Sequence, residues 1–136
     1  MISAPTVLII DDDEDDVDLF KEALSEINRG IICISKSNGK VGLEYLKNSG
    51  KSLPQSIFLD LNMPFIDGKQ FLRELGKIDR LAAIPVIIYT TSRQKMDEEE
   101  TRKLGAVDFI TKPASLEELC RLLKLCLKRH QLIARR

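Results

Sequence analysis

Five short apolar runs punctuate the chain: Val7 to Ile10, Ile31 to Ile34, Ile57 to Leu59, Val86 to Tyr89 and Val107 to Ile110. Apart from Asp108 in the last, their side chains are continuously apolar rather than alternating, which predicts β-strands, some of them buried on both faces, in a parallel sheet covered by helices on each side. Helical spacing marks the segments between them, through Val17, Phe20, Leu24 and Ile27, then Val41, Tyr45 and Leu46, then Phe71, Leu72 and Leu75. From Arg93 to Leu104 only Met96 and Leu104 are apolar, so the helix there is expected to be the least firmly packed. The last helix is the best marked. Ser115 and Glu118 form a capping box ahead of Leu116, Leu119, Cys120, Leu123 and Leu127, and Lys128, Arg129 and His130 suit the negative end of its dipole. Strand and helix alternate five times with crossovers of roughly a dozen residues, which predicts right-handed βαβ units in a doubly wound α/β fold with five helices.

The 136 residues fit one domain, taken as 1–136, with a core from about 5 to 130 and a short basic tail over 131–136. With 43% hydrophobic and 31% charged residues the chain has the balance of a folded globular protein. Basic and acidic residues number 21 each, so no overall field draws it to nucleic acid or an anionic membrane. No apolar stretch approaches the roughly 20 residues of a membrane span, and the first residues carry no secretory pattern, so a cytoplasmic protein is expected. Cys33, Cys120 and Cys126 lack metal-type spacing and are read as packing side chains.

The polar residues at the ends of the apolar runs are more informative. Asp11 and Asp12 come after the first, Asp60 at the end of the third, Thr90 after the fourth and Lys112 after the fifth. In a doubly wound sheet these positions share the carboxyl edge, where ligands bind at the reversal of strand order; for the order 2-1-3-4-5 that point lies between strands one and three. Taken singly, the residues are a cap, a turn acid, a strand-end hydroxyl and a solvated lysine, and it is their common edge that changes the reading. Two carboxylates about 4 Å apart repel by on the order of 1 kcal/mol in bulk water and several times that near a protein surface, so the three either stay apart or are joined by a cation. Oxygen donors without thiol or imidazole suit a hard divalent ion, Mg2+ above all. Lys112 adds a second positive charge, which makes sense if further negative charge arrives. A phosphoryl group accepted by a carboxylate would bring it, and Thr90 could then bond a phosphoryl oxygen.

These residues resemble the receiver domains of two-component response regulators, the single-domain chemotaxis type in particular. The resemblance covers nearly the whole chain and rests on Val-Leu-Ile-Ile-Asp-Asp-Asp at 7–13, Asp-Leu-Asn-Met-Pro-Phe-Ile-Asp-Gly at 60–68, Pro-Val-Ile-Ile-Tyr-Thr-Thr at 85–91 and Gly-Ala-Val-Asp-Phe-Ile-Thr-Lys-Pro at 105–113. It implies a flavodoxin-like five-stranded sheet of order 2-1-3-4-5 and a phosphoacceptor signalling domain rather than an enzyme. Asp60 is then the acceptor, Asp11, Asp12, Asp60 and the backbone carbonyl of Asn62 are the Mg2+ ligands, Thr90 is the switch hydroxyl and Lys112 binds phosphate. Phe109 takes the switch-aromatic position, where many receivers carry tyrosine, and the Lys112–Pro113 bond is expected to be cis. Thr91 stands where a smaller residue is frequent. Asn62 and Ser92 occupy positions that tune how fast water removes the phosphoryl group. The acidic run continues through Asp13, Glu14, Asp15 and Asp16, read as charges at a helix N-terminus.

The implied partners are a histidine kinase or histidine phosphotransfer protein as donor and a downstream protein that the sequence does not name. With no output domain expected after Lys112-Pro113, signalling would pass through the face of the fourth helix, fifth strand and fifth helix. Leu122 and Leu125 exceed what one core face of the last helix needs, leaving a partner or homodimer surface beside the reading of scattered surface leucines. Two rivals fit less well. Asp11, Asp13, Asp15 and Glu22 imitate an EF-hand, but Asp16 stands where its glycine belongs and a strand replaces the entering helix. A nucleotide-binding module would need a glycine-rich turn after the first strand, where this chain has six acids, Asp11 to Asp16.

Overall fold

The computed structural model describes residues 5–50 and 52–132. In chain order the elements are β1 (Thr6–Ile10), α1 (Glu14–Ile27), β2 (Ile32–Lys36), α2 (Gly39–Lys47), β3 (Ser56–Leu59), α3 (Gly68–Gly76), α4 (Asp79–Ala82), β4 (Val86–Thr90), α5 (Lys95–Lys103), β5 (Asp108–Thr111) and α6 (Leu116–Arg129). All strand pairs are parallel, and the order is β2-β1-β3-β4-β5, as the resemblance implied. Arg135 and Arg136, which make the expected tail basic, lie outside the described residues.

Alternate strand residues feed two cores. Val7, Ile9, Phe58, Ile87, Tyr89 and Ile110 pack against α1 and α6, whereas Leu8, Ile10, Ile57, Leu59, Val86 and Ile88 face α2, α3 and α4. This is why the runs of β1, β3 and β4 are apolar at every position. Phe20 of α1 anchors the first core, with ring centroids 4.9 Å from Phe58 and 5.3 Å from Tyr89. Each such fully buried side chain contributes roughly 1.5–3 kcal/mol relative to exposure.

The fold departs from the sequence-based expectation in four places. Among the described residues there are six helices rather than five, because α4 is a single turn, too short to show a period of 3.6; Leu81, fully buried, pins it. The fourth and fifth helices expected from sequence are therefore α5 and α6. In α2 the buried face is Gly39, Gly42, Leu43 and Leu46, while Val41 is 38% exposed. A Cβ at Gly42 would come within 2.6 Å of Ile10 Cδ1, so the helix approaches the sheet through its glycines, which hydropathy does not register. The Ser115 cap forms, accepting from the Glu118 N–H at 3.1 Å, but the Glu118 carboxylate turns outward to Arg121 at 2.6 Å instead of closing the box. Last, the Lys112–Pro113 bond is not cis, since no peptide bond among the described residues is; an X-Pro bond not locked by its surroundings keeps the trans form, favoured by roughly 0.5–1 kcal/mol.

Candidate functional site

Sheet register carries the site residues to one edge. The Asp60 N–H donates to the Ile10 carbonyl at 3.0 Å and the Lys112 N–H to the Thr90 carbonyl at 2.7 Å, so each residue extends the ladder one step past its strand. The Asp11 N–H is fixed in the same way on the Lys36 carbonyl at 3.1 Å. One carboxylate oxygen each from Asp11, Asp12 and Asp60 then lies within 4.8 Å of the others. Asp11 and Asp60 are buried and Asp12 is exposed, giving the cluster a closed floor and an open mouth. Asp12 and Asn62 line one surface depression, and the Asn62 N–H lies 3.5 Å from Asp60 Oδ1.

Gly68 allows this arrangement. A Cβ at that position would stand 2.7 Å from the Asp60 carbonyl oxygen and 2.8 Å from Leu61 Cα, both backbone atoms that cannot swing aside. Asp67 caps α3 by accepting from the Gln70 N–H at 2.9 Å, which brings the helix start against the end of β3.

Lys112, 8% exposed at its side chain, reaches in from beyond β5, its Nζ 2.8 Å from Asp11 Oδ2, 2.7 Å from Asp16 Oδ2 and 3.7 Å from Asp60 Oδ2. Burial would lower its pKa, but contacts with Asp11 and Asp16 and the Asp60 charge outweigh it and hold the ammonium above its ordinary value. Asp11 is affected in the opposite sense: burial pushes its carboxyl up to about 6, against the opposing pull of Lys112 and the Asp13 N–H. Asp11 Oδ2 is paired in charge with Lys112 at 2.8 Å, yet this buried oxygen has no partner in hydrogen-bond geometry. One ammonium against Asp11, Asp16 and Asp60, with Asp12 beside them in the acidic cluster, leaves the site short of positive charge. The donors are hard oxygens, and the unpartnered Asp11 Oδ2 is an atom a divalent cation would satisfy, so the residues fit Mg2+.

Thr90 is fully buried at the end of β4, its Oγ1 3.5 Å from the Ser92 N–H. Phe109 is half-buried on β5, against the core beneath α2, α3 and α4. Sequence alone makes Asp16 one of several helix charges. Asp13 is indeed such a charge, capping α1 by accepting from the Asp16 N–H at 3.1 Å, but the Asp16 carboxylate bonds Lys112. Its spacing gave no signal, since Asp12 lies before the helix begins and Asp16 is one acid in the run Asp11 to Asp16. A polar tie that the sequence did not suggest joins Ser92 Oγ to Asp97 Oδ2 at 2.6 Å and Lys69 Nζ to Asp97 Oδ1 at 2.8 Å, linking the loop after β4, α5 and α3.

The fold also gathers Asp108, Cys126 and His130, making Cys126 part of a cluster its spacing did not announce. Asp108 already meets Arg129 at 2.7 Å and His130 at 2.9 Å, with Arg102 at 3.7 Å. Protein cations thus match its charge, and the cluster serves to tie the end of α6 to the start of β5.

Comparison with known proteins gives a family and a fold. The family model described as "Response regulator receiver domain" matches residues 7–124. The chain is 35% identical over 122 residues to the sensor histidine kinase CheAY of Helicobacter pylori, covering 90% of this chain and 15% of that protein. It is 32% identical over 130 residues to the transcriptional regulatory protein PrrA of Mycobacterium leprae, covering 94% of this chain and 52% of the relative. The chain thus spans about half or less of these relatives. Among solved structures, the phosphorylated cyanobacterial phytochrome response regulator RcpA superposes with a TM-score of 0.83 at 28% identity, covering 91% of each chain. The Mn2+-bound response regulator Rcp1 gives 0.81 at 26% identity, covering 94% of each. Among the described residues no helix is long and apolar enough to cross a membrane. With the family model matching residues 7–124 and the fold superposing on these response regulators, the chain belongs to the response regulator receiver domains of two-component systems.

Proposed function

We propose that the chain is a phosphoacceptor switch in which Asp60 takes a phosphoryl group from a phosphohistidine donor. An Asp60 carboxylate oxygen attacks phosphorus, the P–N bond breaks, and its electron pair stays on the imidazole of the donor; the product is an acyl phosphate. The observation that carries the reading is the position of Asp60: it ends β3 beside Asp11 and Asp12, with the Lys112 ammonium 3.7 Å away. Asp11, Asp12, Asp60 and the Asn62 carbonyl would hold Mg2+, which when bound offsets the negative charge of acceptor and phosphoryl group. Lys112 closes the other side. Modification adds roughly −1.5 to −2 charge. Thr90 turns its hydroxyl to a phosphoryl oxygen, the loop carrying Ser92 moves with it, and Phe109 rotates in turn.

The output is then the α5–β5–α6 face. A groove there is lined by Phe109, Leu122, Leu125 and Arg129, with Leu125 47% exposed, and it suits a protein target or a second copy of the chain. The test is incubation with acetyl phosphate and Mg2+. Wild type should gain one phosphoryl group per chain by intact mass, and Asp60→Asn none. Equal labelling of the two proteins would refute the assignment.

A further inference from the structure

We propose that Asp16 is a counter-anion that holds Lys112 back from Asp60 and so limits how tightly the site binds a phosphoryl group. The inference rests on the phosphoacceptor reading of Asp60 and assigns a positioning role, acting through Lys112, to a residue outside the metal cluster. Of the three carboxylates around the Lys112 ammonium, Asp16 accepts the aligned hydrogen bond, at 2.7 Å. Asp11 Oδ2 is as near, at 2.8 Å, but as an ion pair outside hydrogen-bond geometry, and Asp60 Oδ2 at 3.7 Å is beyond hydrogen-bond range. The lysine that should face the phosphoryl group is therefore committed to the first turn of α1, 96 positions away in sequence.

A phosphoryl group on Asp60 can bond this ammonium only if Nζ moves toward it. One of the two nearer carboxylates must then give way, and burial decides which. The Asp11 side chain is fully buried and fixed in the metal cluster, where the cation it would hold takes up its charge, so it stays in place whichever way Nζ moves. Asp16 is 32% exposed at its side chain and sits in the first turn of α1, where water and the helix dipole stabilise a free carboxylate. Asp16 is thus the partner that exchanges. While it remains bound it competes with the phosphoryl group for Lys112, and its charge repels the incoming anion; both effects weaken phosphoryl binding. Neutralising Asp16 should therefore tighten the site. A residue that merely supported the local structure would loosen it when replaced, so the sign of the effect separates the two roles.

The experiment measures binding of beryllofluoride, a phosphoryl mimic, by calorimetry at saturating Mg2+ for wild type, Asp16→Asn, Asp16→Ser and Asp16→Glu. The two neutral variants should bind about two- to fivefold tighter, the range for a partly exposed ion pair, and Asp16→Glu should stay near wild type. The Lys112 15Nζ resonance should shift in ligand-free Asp16→Asn. Equal or weaker binding by both neutral variants, with wild type binding normally, overturns the inference and leaves the Asp60 reading intact. If wild type takes up neither beryllofluoride nor phosphoryl from acetyl phosphate, the Asp60 reading fails and this inference with it.

Discussion

Asp11 shows most directly how burial creates the site's demand for a cation. Its carboxyl is raised to about 6 from an ordinary 3.8, chiefly by burial, so the folded chain binds a proton there more tightly than the unfolded chain. Metal-free protein should then gain stability as pH falls through 6 toward 4, the reverse of ordinary carboxylate behaviour. Asp11→Asn is permanently uncharged, so at pH 7 in EDTA it should be more stable than wild type by roughly 1–2 kcal/mol, a range discounted for the open mouth of the site. The gain should shrink toward pH 5. Urea unfolding at both pH values checks this, and a wild type that loses stability between pH 7 and 5 while the variant does not would contradict it. Mg2+ should stabilise wild type more than the variant. Asp11, Asp12, Asp60 and Lys112 could be identified from sequence because each comes after an apolar strand at a fixed distance. Asp16 could not, because it is one acid in a run of six, Asp11 to Asp16, and only the fold, which brings the first turn of α1 to Lys112, shows which carboxylate meets it.

Among the elements, α1, α3 and α6 were readable because their buried faces repeat at helical spacing, as Phe71, Leu72 and Leu75 do in α3. In α2 and α3 glycines set the approach to the sheet, and their effect depends on what a side chain would meet. Gly68→Ala drives a Cβ into the Asp60 carbonyl oxygen at 2.7 Å, so the start of α3 must move away from the acceptor. Overpacking of this kind costs roughly 1–3 kcal/mol, and acetyl phosphate labelling of Asp60 should fall with it. Gly76→Ala, at the other end of the same helix, meets nothing within 4 Å and should stabilise by up to about 1 kcal/mol through helix propensity. Thermal unfolding of the pair, with labelling measured alongside, separates a clash at the acceptor from a general intolerance of α3 to alanine. Comparable destabilisation by both would count against the backbone-contact argument.

Across the whole molecule, rigidity is unevenly distributed in a way that suits a switch. The sheet carries two apolar cores, yet the one buried residue of α5 is Thr101, whose hydroxyl bonds its own helix at the Asp97 and Glu98 carbonyls. What ties α5 to its neighbours is largely polar: Lys69 to Asp97 at 2.8 Å and to Glu100 at 3.4 Å, Ser92 to Asp97 at 2.6 Å, and Arg102 to the Val107 carbonyl at 3.3 Å. Exposed ion pairs are individually weak and screened by salt, unlike buried apolar contacts. Amide exchange should therefore be fastest among the helices in α5 and should accelerate there, but not in β1 or β3, at about 1 M salt. Ser92 links this weakly held helix to the site, since its N–H faces Thr90 Oγ1 at 3.5 Å and its carbonyl accepts from the Thr111 hydroxyl at 3.0 Å. Displacing Thr90 toward a phosphoryl group would pull on both contacts, so beryllofluoride should shift amide resonances through α5, β5 and the adjoining face of α6. Thr90→Ala should still bind the mimic, yet lose most of the shifts beyond the Ser92 loop. If wild type and Thr90→Ala gave the same shifts on α5 and α6, the coupling would have to run by another route, and the polar tie through Ser92 and Asp97 would be a static brace.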